Sequence, residues 1–134
     1  MTKVRAIRGA TTSDNNTKED IVEATREMLV SLVEANDLRK EDVISAFFTT
    51  TKDLNTQFPA VAARKIGWTE VALMCSHEMF VPDAQEKCIR VMVHVNTDKS
   101  PQEINNVYLK DAVNLRKRGF EDQDKYLTFM TVYC

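Results

Sequence analysis

A permanently charged side chain lies in the middle of an apolar segment. Arg90 belongs to the run 88–95, which is rich in valine and isoleucine and predicts a buried strand. Side chains alternate between the two faces of a strand, so Arg90 shares its face with Cys88, Met92 and His94, while the aliphatic residues form the other face. An arginine keeps its charge in a protein and needs a carboxylate, a phosphate or a wet cleft. The pattern indicates a strand with one core face and one face that binds an anion.

A surface edge strand is the competing interpretation for Arg90, and its aliphatic neighbours argue against it because arginine is rarely buried without a partner. Other arginines are weaker candidates on the residue pattern alone. Arg8 precedes Gly9, which permits close approach to the backbone, yet an arginine at a strand end is usually a surface residue. Arg64 on a predicted short helix and Arg116 at a predicted strand end have the positions of solvated charges.

Several side chains between Cys75 and His94 are of types that bind zinc. Their spacing is poor for a metal site, because a closed zinc site uses compact pairs of ligands. Cys75 and His77 also make a poor pair for nucleophilic catalysis, since alternate side chains of a strand seldom reach hydrogen-bond geometry. The sequence predicts no metal site and favours buried or polar-contact roles for the cysteines.

The composition limits the function classes. The chain has 134 residues, with 18 basic and 20 acidic residues mixed along it, which disfavours a nucleic-acid surface. It contains no apolar run of membrane-spanning length, and its amino terminus lacks the apolar core of a secretion signal. Its three cysteines form no CxxC pair, and its three glycines form no phosphate-binding loop. We expect a cytoplasmic protein with no nucleic-acid or membrane partner.

Hydrophobic periodicity and turn residues predict an alternation of strands and helices. The predicted strands are 4–8, 43–50, 68–75, 88–95 and 112–115, and the predicted helices are 17–36, 60–66 and one that opens at Ser100 and includes Ile104, Val107, Tyr108 and Leu109. This order predicts a mixed α/β sheet with helices on one face, which leaves the other face for a partner subunit to cover. We expect a single domain over residues 1–118. Residues 119–134 look like a tail that either packs on a neighbour or is a mobile end.

Six short motifs agree with one family in order and spacing. They are RAIRGATT at 5–12, FPA at 58–60, GW at 67–68, CSHEM at 75–79, CIRVM at 88–92 and VYL at 107–109. From about Val4 to about Arg116 the chain resembles the monofunctional, trimeric α/β-barrel class of chorismate mutase. The resemblance implies a homotrimeric pseudo-α/β-barrel with an active site at each subunit interface. It also implies conversion of chorismate to prephenate in aromatic amino-acid biosynthesis, with no cofactor and no metal.

The resemblance further implies roles for individual residues. Arg90 would contact the ether oxygen and a carboxylate of the substrate, with Arg8 and Tyr108 holding the carboxylates. Glu78 and Cys75 would take the ring hydroxyl. The remaining residues implied in substrate binding are Phe58, Ala60 and Arg64 from the neighbouring subunit, and Met74, Leu115 and Arg116 lining or closing the pocket.

Two features depart from the family pattern. Val61 stands where the family often has a lysine, and the segment between Arg64 and Gly67 is one residue short. An accessory cation near the pocket mouth is therefore expected to be missing.

Two other functions are compatible with an arginine in a cleft. A trimeric imine or enamine deaminase of similar fold also holds a carboxylate with an interfacial arginine, although the CSHE run at 75–78 and the RGATT run at 8–12 argue against it. A non-catalytic trimer that binds a small acid would use the same cleft without turnover.

Overall fold

The computed structural model describes residues 2–116 as one mixed sheet with helices. The strands are β1 (Lys3–Thr12), β2 (Val43–Thr50), β3 (Ala72–His77), β4 (Cys88–Thr97) and β5 (Val107–Tyr108), and the α-helices of this range are α1 (Lys18–Asn36) and α2 (Ala60–Lys65). Short 3₁₀ segments lie at Lys40–Asp42, Pro101–Glu103 and Lys110–Arg116. The predicted mixed α/β sheet is confirmed.

The strand that contains Arg90 lies at the centre of the sheet. The strand order is β3-β2-β4-β1-β5, in which β4 pairs antiparallel with both β2 and β1. The two outer strands, β3 and β5, pair parallel with their neighbours. Because β4 has a partner on each side, its position in the sheet is fixed by backbone hydrogen bonds along both edges.

The aliphatic face of β4 forms the core, as its alternation predicts. Ile89, Val91, Val93 and Val95 are buried there, together with the apolar stripe of α1 (Ile21, Ala24, Met28, Leu29 and Leu32). Both α1 and α2 contribute to this cluster, so both lie on the same side of the sheet. No helix within residues 2–116 has the length and apolar character needed to cross a membrane.

The helix ends agree with their predicted signals. The Thr17 hydroxyl accepts a hydrogen bond from the backbone N–H of Asp20 at 3.2 Å, which caps α1. Gly67 follows α2 with a φ of 98°, a left-handed conformation that glycine adopts without a steric penalty. These features fix where α1 begins and where α2 ends on the helix side of the sheet.

Two predicted elements near the end of the domain are wrong. Ser100 does donate its backbone N–H to the Glu103 carboxylate at 2.9 Å, but Ile104 is extended and the chain continues as β5 instead of a helix. The predicted strand at 112–115 is part of a 3₁₀ segment. Its three-residue repeat places Ala112 and Leu115 on one side, where both are buried.

Other boundaries differ by a few residues. β1 runs through Thr12 because it pairs with β4 along its whole length, beyond the predicted end at Arg8. β3 begins at Ala72, since Trp68 is buried in the core and does not start the strand. The predicted tail at 119–134 and the domain boundary at residue 118 lie outside the described residues.

Candidate functional site

The sheet face opposite the helices carries rows of side chains that cross the strands, and we call it the open face. One row runs through Arg90, with Thr49 of β2 on one side and Ala10 of β1 on the other, and reaches Tyr108 of β5. The next row contains Met74, Phe47, Met92 and Arg8, and the one after it contains Ala72, Ser45, His94 and Ala6. Residues from five separate strands therefore share one surface.

A cavity of about 660 Å³ lies over these rows. Five of the predicted site residues line it together: Arg8, Met74, Glu78, Arg90 and Tyr108. Most of the remaining lining is apolar, with Phe47 and Met92 beneath the charged groups. The sheet thus brings residues that are far apart in the chain into one pocket of the size that binds a small molecule.

Arg90 meets the carboxylate that its position requires. Its Nη2 pairs with Oε2 of Glu78, and each of the two side chains is only 19% exposed. The backbone N–H of Glu78 donates to the carbonyl of Thr50 at 2.7 Å, which fixes Glu78 at the end of β3. The Glu78 carboxylate after β3 and the Arg90 guanidinium of β4 are therefore held on the two sides of β2, which lies between those strands.

Thr49 is a member of the site that the sequence did not single out. Its hydroxyl donates to the same Glu78 oxygen that receives Arg90. Thr49 stands directly opposite Arg90 in the β2–β4 pairing. In the sequence, Thr49 could be recognised only as one of the polar residues that alternate along β2. That it lies opposite Arg90 follows only when the register between β2 and β4 is known.

The charge of the cavity suits an anionic ligand. Among the described residues that line it, Arg8 and Arg90 are cations and Glu78 is the acid. Partial burial strengthens the interaction of these charges with a ligand, because the surrounding medium screens them less than water does. The two arginines outnumber the acid, so the cavity favours a small anionic molecule.

Tyr108 enters the cavity from β5, and the prediction that it lies on a helix is wrong. The two residues of β5 pair with Gly9 and Ala10, and the N–H of Leu109 donates to the Ala10 carbonyl at 2.9 Å. Tyr108 also packs against a small buried cluster that contains Leu115. Leu115 is buried in that cluster and does not line the cavity of the single chain, whereas the resemblance implied that it lines or closes the pocket.

A second group of predicted residues lies away from the open face. Cys75 pairs with Phe48, whose side chain is in the core, so Cys75 points to the helix side of the sheet. It lines a separate cavity of about 340 Å³ with Phe58, which is 67% exposed. Ala60 and Arg64 lie on α2 beside it. One chain does not bring this second group to Arg90.

Burial disfavours the thiolate form of two cysteines, Cys75 and Cys88. Burial raises the pKa of Cys75, and it is opposed by a backbone hydrogen bond from Ala60 and by the charge of Arg64. Burial also raises the pKa of Cys88, to about 11. Residues 2–116 contain no group of three histidine, cysteine or acidic side chains close enough together to hold a metal ion. Arg116 is the last described residue, and its side chain lies outside the described part.

Comparison of the sequence with known protein families identifies the family of this chain. The family described as chorismate mutase type I matches residues 4–118, most of the chain. The chain belongs to the type I chorismate mutase family. It is an enzyme, a chorismate mutase of aromatic amino-acid biosynthesis, as the motifs around Arg8 and Arg90 predict.

Individual chorismate mutases are similar to the chain over nearly their whole length. Chorismate mutase AroH of Bacillus subtilis (strain 168) is 42% identical over 114 residues, covering 84% of this chain and 90% of that protein. Chorismate mutase AroH of Thermus thermophilus is 44% identical over 114 residues, covering 84% and 93%. A solved chorismate mutase structure from Clostridium thermocellum superimposes with a TM-score of 0.82 and 54% identity, over 83% of this chain and 99% of that chain. The expected family and fold class are confirmed.

Proposed function

We propose that this chorismate mutase rearranges chorismate to prephenate in the cavity around Arg90, within a homotrimer whose subunit interfaces complete each site. The observation that carries the proposal is the division of the site residues between two surfaces of one chain. Arg8, Glu78, Arg90 and Tyr108 line the cavity of the open face, whereas Cys75 lies on the helix side. A second copy that lays the edge formed by α2 and β3 over the open face unites the two groups.

The apolar character of the open face supports an assembly. Phe47, Met74 and Met92 are 39%, 62% and 40% exposed in the single chain, although they lie side by side in one row. A contiguous apolar surface of this kind is usually covered by another protein surface. Phe58 is exposed on the other half of the proposed interface and is available to cover it.

The reaction depends on the shape and the charge of the binding site. Chorismate contains both the bond that breaks and the bond that forms, so the rearrangement needs neither a nucleophile nor a proton transfer. Its two carboxylates match the guanidinium of Arg8 and the hydroxyl of Tyr108, with Arg64 of a neighbouring copy as a further cation. Holding both carboxylates favours the compact conformer from which the rearrangement proceeds.

Arg90 has the central role in the proposed mechanism. Negative charge develops on the ether oxygen as the C–O bond breaks, and a preorganised guanidinium stabilises that state more than the ground state. A guanidinium carries five N–H donors, enough for both Glu78 and substrate oxygens. A donor of this type typically contributes about 3 to 4 kcal/mol to lowering the barrier.

Glu78 and Cys75 are assigned to the ring hydroxyl of the substrate. Glu78 already accepts hydrogen bonds from Thr49 and Arg90, so its carboxylate is oriented before substrate arrives. The Cys75 thiol of a neighbouring copy is protonated and would add a weak neutral contact. Phe58 and Ala60 of the same neighbour would close the cavity over the ring. The cytoplasm is the proposed location, which agrees with free thiols at Cys75 and Cys88.

The experiment that tests this proposal mixes the purified protein with chorismate and follows the loss of its ultraviolet absorbance together with the formation of prephenate. We expect turnover by the unaltered protein and almost none by Arg90→Ala with the same oligomeric state. A folded protein that leaves chorismate intact and consumes a 2-imino acid would overturn the proposal in favour of a deaminase.

A further inference from the structure

A buried amide holds the segment that leads into β5. Asn36, the last residue of α1, is 1% exposed. Its Nδ2 donates to the carbonyls of Leu32 at 2.9 Å and Asn105 at 2.8 Å, and its Oδ1 accepts the backbone N–H of Asn105 at 2.8 Å. The side chain therefore bonds both backbone groups of Asn105, as a neighbouring strand would. The bond to Leu32 is buried and the two bonds to Asn105 are partly buried, so losing one leaves a poorly solvated polar group of Asn36 and is costly.

The backbone run from Asn105 to Leu109 is bonded to β1 at two points on either side of Tyr108. Asn106 accepts the backbone N–H of Arg8 through its Oδ1 at 2.8 Å. On the far side of Tyr108, the N–H of Leu109 donates to Ala10 at 2.9 Å. The amide of Asn36 thus acts on the same backbone run that presents Tyr108 beside Arg8.

β5 contains only two residues and has little pairing of its own to define its register. Gly9 faces Val107 and Ala10 faces Tyr108 in the observed pairing. A shift by one residue would turn every side chain of the strand to the opposite face, so Tyr108 would leave the cavity. The register must be fixed from outside the strand. Asn36 is suited to this because α1 is anchored in the core through residues such as Leu32.

We propose that Asn36 is a positioning residue, which fixes the register of β5 on β1 and thereby keeps Tyr108 in the cavity. The inference rests on the proposed role of Tyr108 in holding a substrate carboxylate. A residue at the end of α1, on the core side of the sheet, would thus affect the position of Tyr108 on the open face.

The discriminating variant is Asn36→Asp. It keeps the size of the side chain and the acceptor for the Asn105 N–H, but it replaces the donor with an oxygen that faces the carbonyls of Leu32 and Asn105. The matched control is Thr25→Val, which removes another buried polar group of α1 whose hydrogen bond, to the Ile21 carbonyl at 2.7 Å, stays within the helix. If Asn36→Asp does not fold, Asn36→Ser replaces it, because the serine hydroxyl is too short to bond both groups of Asn105.

The first measurement is amide hydrogen exchange, which requires no substrate. We expect the Leu109 and Arg8 amides to exchange at least about tenfold faster in the Asn36 variant than in Thr25→Val, when the two are compared at equal free energy of unfolding. Equal exchange rates at these amides would overturn the proposal. Because the readout is structural, it separates a failure of this inference from a failure of the proposed function.

The second measurement is a double-mutant cycle in kcat/KM for chorismate. Asn36→Asp should lower kcat/KM when Tyr108 is present and change it little in the Tyr108→Phe background, since the hydroxyl that it displaces is already absent. A purely structural role for Asn36 would give the same factor in both backgrounds, and that additive result contradicts the proposal.

Discussion

Arg90 and Glu78 illustrate how a charge is kept in a half-buried position. Each side chain is 19% exposed, and each provides the other's countercharge. Removing one member of such a pair leaves the other charge poorly compensated, which costs more than the pair contributes. The sequence was sufficient to place Arg90 on the polar face of β4, because strand alternation is local. It was insufficient to pair Thr49 with Glu78, since that contact depends on the register between strands.

Arg90→Lys is the most informative substitution at this scale. A lysine retains the charge but offers a compact ammonium, which cannot hold Glu78 and the substrate with the fixed fork of a guanidinium. We expect kcat to fall by on the order of 10²- to 10³-fold, the loss typical of one oxyanion donor.

The matched control is Arg26→Lys, at an exposed arginine of α1 that pairs with Glu23. It should leave kcat unchanged. Cys75→Ala should cost less than Arg90→Lys, because a neutral contact supplies less than a charged one. Near-normal kcat in a folded Arg90→Lys protein would be incompatible with the proposed role.

The elements differ in how far local sequence determines them. α1, β2 and β4 each have strong periodicity and were predicted close to their observed bounds. β5 was predicted as a helix because the Ser100 capping box and the apolar spacing after it are typical of one. The chain is extended there because Asn36 and β1 supply backbone partners from distant parts of the sequence. Tertiary hydrogen bonds of this kind leave no local pattern.

The contact between α1 and the sheet depends on a residue without a side chain. A Cβ added at Gly9 would lie 3.2 Å from Cγ1 of Val91 and 3.3 Å from Cδ1 of Leu32. We expect Gly9→Ala to destabilise the protein by about 1 to 3 kcal/mol through overpacking, measured by chemical denaturation.

Combining Gly9→Ala with Val91→Ala tests that cause. Removal of the nearest contact should relieve the crowding, so the double variant should lose less stability than the two single losses added together. An additive result would mean that crowding against Val91 does not cause the stability loss of Gly9→Ala.

Within residues 2–116, one face of the sheet is covered by helices and the other is the open face. The helices cover the aliphatic side of the sheet, whereas the cavity side leaves Met74 and neighbouring apolar groups in contact with solvent. The family and its motifs were recognisable from sequence, and the arrangement of the two groups of site residues on opposite sides required the fold. We propose that Arg90 of one copy and Arg64 of another bind the same substrate molecule.

Complementation between two inactive variants tests most directly whether two subunits share one site. Arg90→Ala and Arg64→Ala should each have little chorismate mutase activity alone. Coexpressed in equal amounts, they should form mixed trimers with about a quarter of normal activity, because about that share of interfaces combines the intact half of each variant. A mixture no more active than the separate variants, although mixed trimers are present, would contradict a site shared between subunits.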